Sequence, residues 1–448
     1  MSPTEHRTSD NYLTTPVDPT SAESLAASGL ELATVDTSDT AAFSRWFQAE
    51  ARGFHDTTLP DKSVEEKLPG LAHRRTTGVW DSTAADAASP VATVSSWPVE
   101  LTVPGEKSVE AWAISAVTVS PTHRRRGIAR ALLESELRTA DSLGVPLAIL
   151  TVSEATIYSR YGFAPTSRTA DLKIDTARAR WTGPIAAGRV HFVPSESLID
   201  DGLALVERVR LTTPGQIQFD QNLWLRLIGQ LGEPTDETRK LRTIRYDDEN
   251  GVAQGFAVFT VVETGSSFSA HTLDVKYLVS ATDDAYAGLW RFLLEMDLVS
   301  EVTAHLRAAD EPLPWQVEDN RAVAFGRAHD HLWARILDVP AALTARSFSA
   351  AGDIVLEISD PLGFAAGSFL LSVDAAGEAT VTELDDAVAT DAAVVALSVN
   401  ELGALYLGAT SAATLVRAGR IVEKTPGAAS VVDAAFRSER SAWLSIWF

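Results

Sequence analysis

Apolar residues in "AAFSRWFQAEARGF" recur at helical spacing, with Phe43, Trp46, Phe47, Ala51 and Phe54 on one side, and this predicts an amphipathic helix. Strand-like runs follow over 74–80, over 91–103 up to the turn "PGE", and over 109–119. Helical spacing returns in "GIARALLESELRTADSLG", where Ile128, Leu132, Leu133 and Leu137 share a face and Gly144 stands where a helix C-cap belongs. "VPLAILTV" has the length and β-branched content of a buried strand. A short helix, "EATIYSRYG", and a strand, "TADLKI", close this unit near Asp175, and "ARARWTGPIAAG" reads as a linker. Strands and helices in this order predict an α+β or α/β domain.

The rhythm then repeats. Helices are expected over 198–210 and 222–231, and a hairpin at Asn250-Gly251 with a type I′ turn. The strand "LDVKYLV", the helix "AYAGLWRFLLEMDL" and the strand "VTAHL" complete a second unit. After "LDVPAALTAR" come short strands over 353–358, 367–373 and 379–382, then small-residue helices over 399–407, 411–418 and 428–436. The expected division is a disordered tail over 1–30, rich in Ser, Thr, Asp and Pro, then domains over 31–180, 181–338 and 339–448.

Composition narrows the functions. The formal net charge of −22 argues against nucleic acid as the main partner, because phosphate binding needs a basic footprint. With no cysteine, disulfides and thiolate chemistry are excluded. The nine histidines are scattered and form no HExxH, so no metal is expected. No apolar run reaches the roughly 18 residues of a membrane span, and no signal peptide pattern opens the chain, so a cytoplasmic protein with no membrane partner is expected.

Against this acidic background "AVTVSPTHRRRGIARALL" stands out. Arg124, Gly127 and Ala129 fit R-x-x-G-x-A between a strand and a helix. A helix N-terminus offers unpaired N–H groups and partial positive charge, glycine lets a diphosphate approach closely, and arginines add charge-assisted hydrogen bonds. Alone, "RRR" also suits a solvated basic turn. Tyr158 by itself reads as a packed core residue, with Tyr161 close by as an alternative, and Asp56 also suits a solvated surface.

The string "LTVPGE…VSPTHRRRGIARALL…SEATIYSRYGF", with "LWARILDVPAALTAR" and "LGALYLGATSAATL" further on, closely resembles the Eis (enhanced intracellular survival) family of GCN5-related N-acetyltransferases over residues 30 to 448. The resemblance implies an α+β protein of tandem GNAT-fold domains, the second degenerate, followed by a sterol-carrier-protein-like domain. Its cosubstrate would be acetyl-CoA, with no metal. Val117 and Val119 match the strand that pairs with the pantetheine arm. Arg124, Arg125, Arg126 and Gly127 match the pyrophosphate loop, and Ser153 matches a residue beside the thioester. Tyr158 matches the general acid, a role open to a phenol whose ordinary pKa is about 10.

The chain ends "SAWLSIWF", an apolar ending that suits either the packed edge of a core or something more specific. In the Eis family the C-terminal carboxylate reaches into the first domain as general base, and Phe448 matches that position. Desolvation beside Trp443 and Trp447 is expected to aid it. In the second unit "VSATDDAYAGLW" puts Asp283 and Asp284 where arginines and glycine would hold a diphosphate, so this copy is expected to be a scaffold.

For the acceptor, Asp56 and Phe54 match the family's substrate pocket. The function implied is acetyl transfer to primary amines such as aminoglycosides or polyamine-like compounds, by a homo-hexamer. Aminoglycoside-acetylating members carry an acid just before the last residue, where this chain has Trp447, which favours a more hydrophobic amine. The alternatives are a protein-lysine or other small-amine acetyltransferase, and a non-catalytic protein that binds an apolar ligand.

Overall fold

In the computed structural model, which describes residues 12–263, 270–384 and 391–448, two strands of the first unit start side by side and then part. Lys107–Val119 and Leu147–Thr151 run parallel and pair at Trp112–Ala148, Ala113–Ile149 and Ile114–Leu150, and nowhere beyond. Ala116, with φ of +55°, bends the longer strand away, and its register with Ala92–Val103 slips in the same region, as at a β-bulge. The helix Ile128–Ser142 crosses between them, its buried Ile128, Leu132, Leu133 and Leu137 matching the predicted apolar face.

The first sheet has seven strands, in the order Leu30–Thr34, Arg75–Asp81, Ala92–Val103, Lys107–Val119, Leu147–Thr151, Leu332–Ile336 and Ala164–Pro165. The second also has seven: Val323–Asp330, Arg168–Asp175, Val299–Ala308, His271–Ser280, Ala253–Glu263, Arg242–Asp247 and Arg189–Phe192. Its parallel pair, His271–Ser280 with Val299–Ala308, likewise ends part way, at Val275–Ala304. The third sheet orders Ala379–Glu383, Gly367–Val373, Gly352–Ser359, Ala393–Ser398 and Val422–Glu423. The helices Val399–Leu405, Ala412–Arg417 and Ala428–Phe436 follow, close to the predicted positions.

These sheets correct the division at 180/181. Strand Arg168–Asp175, assigned to the first domain, pairs with Val299–Ala308 and Val323–Asp330 in the second sheet. Strand Leu332–Ile336, assigned to the second domain, inserts into the first sheet against Leu147–Thr151. The two units therefore exchange a strand. A run such as "TADLKI" shows that it is a strand but carries no mark of which sheet accepts its hydrogen bonds.

Part of the expected tail is also folded. Asp18 caps the helix Pro19–Ala26, with Pro19 at its first position, and accepts from the Ser21 amide at 2.7 Å. Its carboxylate takes a hydrogen bond from Arg138 at 2.8 Å, and Leu25 is buried with Ile128 and Leu132. The polar composition conceals these few anchors; residues 1–11 lie outside the described residues. At the hairpin only Gly251 has positive φ (+77°), its N–H donating to the Asp248 carbonyl at 2.9 Å. A type I′ turn would need Asn250 there too, so the expected turn type is wrong, and the strand register slips between Ala253 and Gly255.

Arg335, on the exchanged strand, ties the units together. Fully buried, it donates to Asp360 of the third unit at 2.7 and 2.9 Å and to the Tyr161 carbonyl of the first at 3.2 Å. Removing one member of a buried pair strands the other charge, at a cost of about 3–5 kcal/mol. Asp360→Ala is expected to lower the free energy of the first unfolding transition in urea by about that amount.

Candidate active site

The opening between the parted strands of the first sheet gathers most of the predicted residues. Val117 and Val119 are half-buried on the diverging end of one strand, and the exposed Ser153 lies just past the end of the other. Phe448 enters between them: Ser115 Oγ donates to its main-chain oxygen at 2.9 Å, and Thr151 Oγ1 reaches the same atom at 3.4 Å. Ser115 and Thr151 escaped the sequence reading because a lone Ser and Thr in strands carry no signal.

At one end of the opening stands the arginine turn. Gly127, with φ of +77°, begins the helix Ile128–Ser142, and no side chain caps its first turn. A Cβ at Gly127 would meet nothing within 4 Å, so the approach to these N–H groups is open. Arg124 and Arg125 are exposed. Arg126 is turned back onto the protein, donating to Asp81 and to the Ser28 carbonyl, both at 3.1 Å. The Thr83 hydroxyl and amide, then Arg126, hold the Asp81 carboxyl well below the usual range. Arg126 thus shapes the turn and leaves Arg124 and Arg125 facing solvent.

Tyr158 ends the short helix Ala155–Tyr158, buried and edge-on to Phe163 with ring centroids 6.3 Å apart. Burial pushes its phenol up, partly offset by a hydrogen bond with Ser153, so it is protonated at neutral pH. The third unit supports this segment from behind: Asn400 Nδ2 donates to the carbonyls of Ser159 (2.9 Å) and Phe163 (2.8 Å). No local pattern could have joined Asn400 to Tyr158.

Opposite, Trp97 forms a wall. Its ring meets Phe448 edge-on at 5.8 Å and His73 at 5.9 Å, and the Arg74 guanidinium lies 3.8 Å from its centroid. Arg74 acts on the carboxyls of Glu50 and of Asp220, the latter from the second unit. Asp56 is exposed and bears on Glu50, and Phe54 beside it is 45% exposed. The predicted Phe54 and Asp56 thus connect to Phe448 through Glu50, Arg74 and Trp97, residues that the sequence did not single out.

In the ending alternate residues Ala442, Leu444 and Ile446 are buried, and the chain bends at Ile446. His331 Nε2 donates to the Ile446 carbonyl at 2.7 Å, and its ring packs on Trp447 at 4.3 Å. Burial pushes His331 down to about 4, which leaves it neutral. Trp443 lies instead against Arg307 of the second unit, 5.2 Å from ring centroid to guanidinium. Phe448 is therefore covered by Trp97, and the expected shielding by Trp443 is corrected. Among the described residues no helix is long and apolar enough to cross a membrane, and no cluster of His, Asp and Glu has the makings of a metal site.

Comparisons with known proteins establish the family. A model described as an acetyltransferase (GNAT) domain matches residues 34–166, another of that description matches 215–338, and a sterol carrier protein domain matches 339–445. The N-acetyltransferase Eis of Mycobacterium tuberculosis is 34% identical over 350 residues, covering 76% of this chain and 81% of that protein. An N-acetyltransferase of Streptomyces avermitilis is 34% identical over 405 residues, covering 89% of this chain and 94% of its own. The crystal structure of Eis1 from Mycobacterium abscessus superposes with a TM-score of 0.78 at 28% identity, over 93% of this chain and all of that one. Fold and site thus define a GNAT N-acetyltransferase that draws on an acyl-coenzyme A. More narrowly, the chain belongs to the Eis family, with two GNAT domains and a sterol carrier domain.

Glu50 offers a test of the pocket's electrostatics. Burial, helped by Asp56 and opposed by Arg74 and Lys67, pushes its carboxyl from 4.5 up to about 7. The folded protein then holds a proton that the unfolded chain has released, so this contribution is full below about pH 4.5 and is lost as pH rises through 7. Between pH 5 and pH 8 the wild type should lose stability relative to Glu50→Gln, read from urea midpoints at the two pH values.

Proposed function

We propose that this protein moves an acetyl group from acetyl-CoA to the primary amine of a cationic small molecule, with Tyr158 as general acid and the Phe448 carboxylate as general base. The observation that carries the reading is the position of Phe448, its oxygen held by Ser115 inside the opening where the coenzyme's thioester would lie. The pantetheine arm would pair with the backbone of Val117 and Val119. The diphosphate would rest on the uncapped N-terminus of the helix from Ile128, with Arg124 and Arg125 closing over it.

The chemistry follows from these places. The amine enters beside Trp97, drawn by Asp56 and Asp220. The Phe448 carboxylate, directly or through a water, takes the proton that the nitrogen loses as it attacks the thioester carbonyl. A C–N bond forms and the C–S bond breaks, and Tyr158 passes its proton to the departing sulfur. Acidic groups around an aromatic wall suit an amine with apolar as well as cationic surface, and Trp447, 51% exposed in place of an acid, favours that over a strongly polycationic aminoglycoside. Protein-lysine acetylation is the alternative that an acceptor panel would reveal.

Tyr158→Phe should lower kcat by about a hundredfold or more while the Kd for acetyl-CoA stays within about twofold. Arg125→Ala should do the reverse, raising that Kd by about tenfold with little change in kcat. Coenzyme A release across aminoglycosides, simpler amines and lysine peptides, with full-length protein and a variant lacking Phe448, tests the base. Turnover that persists in the shortened protein would refute that role.

A further inference from the structure

Both GNAT sheets contain an opening, and the C-terminal segment passes both. In the second sheet the strands part beyond Val275 and Ala304. Arg307, buried there, spans the gap: Nη1 donates to the Leu278 carbonyl of the facing strand at 3.0 Å, and Nη2 pairs with Glu311 at 2.9 Å. Tyr286 adds a hydrogen bond to Glu311 at 2.6 Å. The backbone edge that a pantetheine arm would need is thus occupied by a guanidinium. The helix Asp283–Leu294 is closed as well, because Thr282 accepts from the Ala285 amide at 3.1 Å and Asp283 and Asp284 fill the first turn. This opening is built to hold something other than a nucleotide.

What lies on it is the chain's own ending. The Arg307 guanidinium faces the Trp443 ring, and the Trp443 N–H donates to the Pro214 carbonyl at 3.1 Å. Gln216 grips at two points, donating to the Trp443 carbonyl at 2.9 Å and accepting from Ser445 Oγ at 2.8 Å. Ser445 also shares a hydrogen bond with Tyr277 of the parted strand. The backbone lies so close that a Cβ on Gly215 would stand 3.0 Å from the Trp443 oxygen. Three residues on, Phe448 sits in the first opening. The chain bends at Ile446 on the way, and a slip of one position at Trp443–Ser445, about 3.3 Å of chain, would carry the Phe448 oxygen out of reach of Ser115 and disturb the alternation of buried side chains.

We propose that the second GNAT domain has exchanged coenzyme binding for gripping the C-terminal segment, with Arg307 as a positioning residue. Acting through Trp443, Arg307 fixes the register at which Phe448 enters the first domain's opening. The catalytic consequence rests on the reading of Phe448 as base; the grip itself does not.

The test uses the full chain with Arg307→Met, which keeps the length and apolar stem, and separately Gln216→Ala, which leaves the buried Arg307–Glu311 pair intact. Circular dichroism and melting verify the fold, and the Gln216 variant carries the test if the Arg307 variant does not fold. Carboxypeptidase A is added to the native proteins and removal of Phe448 is followed by intact mass. Release should accelerate by about tenfold, kcat should fall by a similar factor, and the Kd for acetyl-CoA should stay within about twofold. Protection equal to wild type in the folded variants would overturn the grip, whatever the turnover. Faster release with unchanged turnover would sustain the grip and remove Phe448 from the chemistry. A general loosening that also weakened acetyl-CoA binding would overturn the assignment of Arg307 as a positioning residue.

Discussion

Two parallel strands that stop pairing leave rows of backbone N–H and C=O groups that must find partners or remain in contact with water. In the first sheet that requirement falls on Ser115 to Val119 and on the strand end at Thr151. The Phe448 oxygen enters the gap but takes the Ser115 side-chain hydroxyl at 2.9 Å, which leaves those backbone groups unclaimed by it. A pantetheine arm would meet the remaining need, since it carries amides of its own. The divergence is therefore a break in the sheet that leaves backbone groups open to a partner.

That arrangement explains why one catalytic sheet comes with three domains. The exchanged strands make each GNAT sheet depend on the other unit's chain, and Arg335 on the incoming strand binds Asp360 and the Tyr161 carbonyl at once. Asn400 steadies the turn beside Tyr158 from the third domain, where Gly403 lets a helix lie against the exchanged strand, a Cβ there falling 2.7 Å from the Ala334 oxygen. The third domain also delivers the chain's end. Each contact joins residues far apart in sequence, so loosening one domain would be felt in the surroundings of Tyr158 and Phe448.

Charge is unevenly distributed around the first opening. In a chain of net charge −22, the turn at Arg124 and Arg125 presents cations where a diphosphate would lie. Asp56, Asp220 and the largely protonated Glu50 lie on the other side of Trp97, around Arg74. The second domain differs: Asp283 and Asp284 stand at its helix start and Arg307 bridges its gap.

Much of this was legible in the sequence because it is written in local periodicity and contiguous motifs. The amphipathic helices, the strands on either side of the arginine turn, the three units and the degenerate second copy all depend on neighbours within a few residues. Tyr158 and Phe448 were reachable only through family resemblance, since a lone tyrosine or a terminal phenylalanine has no local signature. The strand exchange, the roles of Ser115, Thr151, Trp97 and Glu50, the support from Asn400 and the grip of Arg307 and Gln216 on the ending were decided by tertiary structure alone. Hydrogen-bond acceptors, ring faces and burial are supplied by whichever segment packs alongside, and side-chain periodicity does not encode which segment that is.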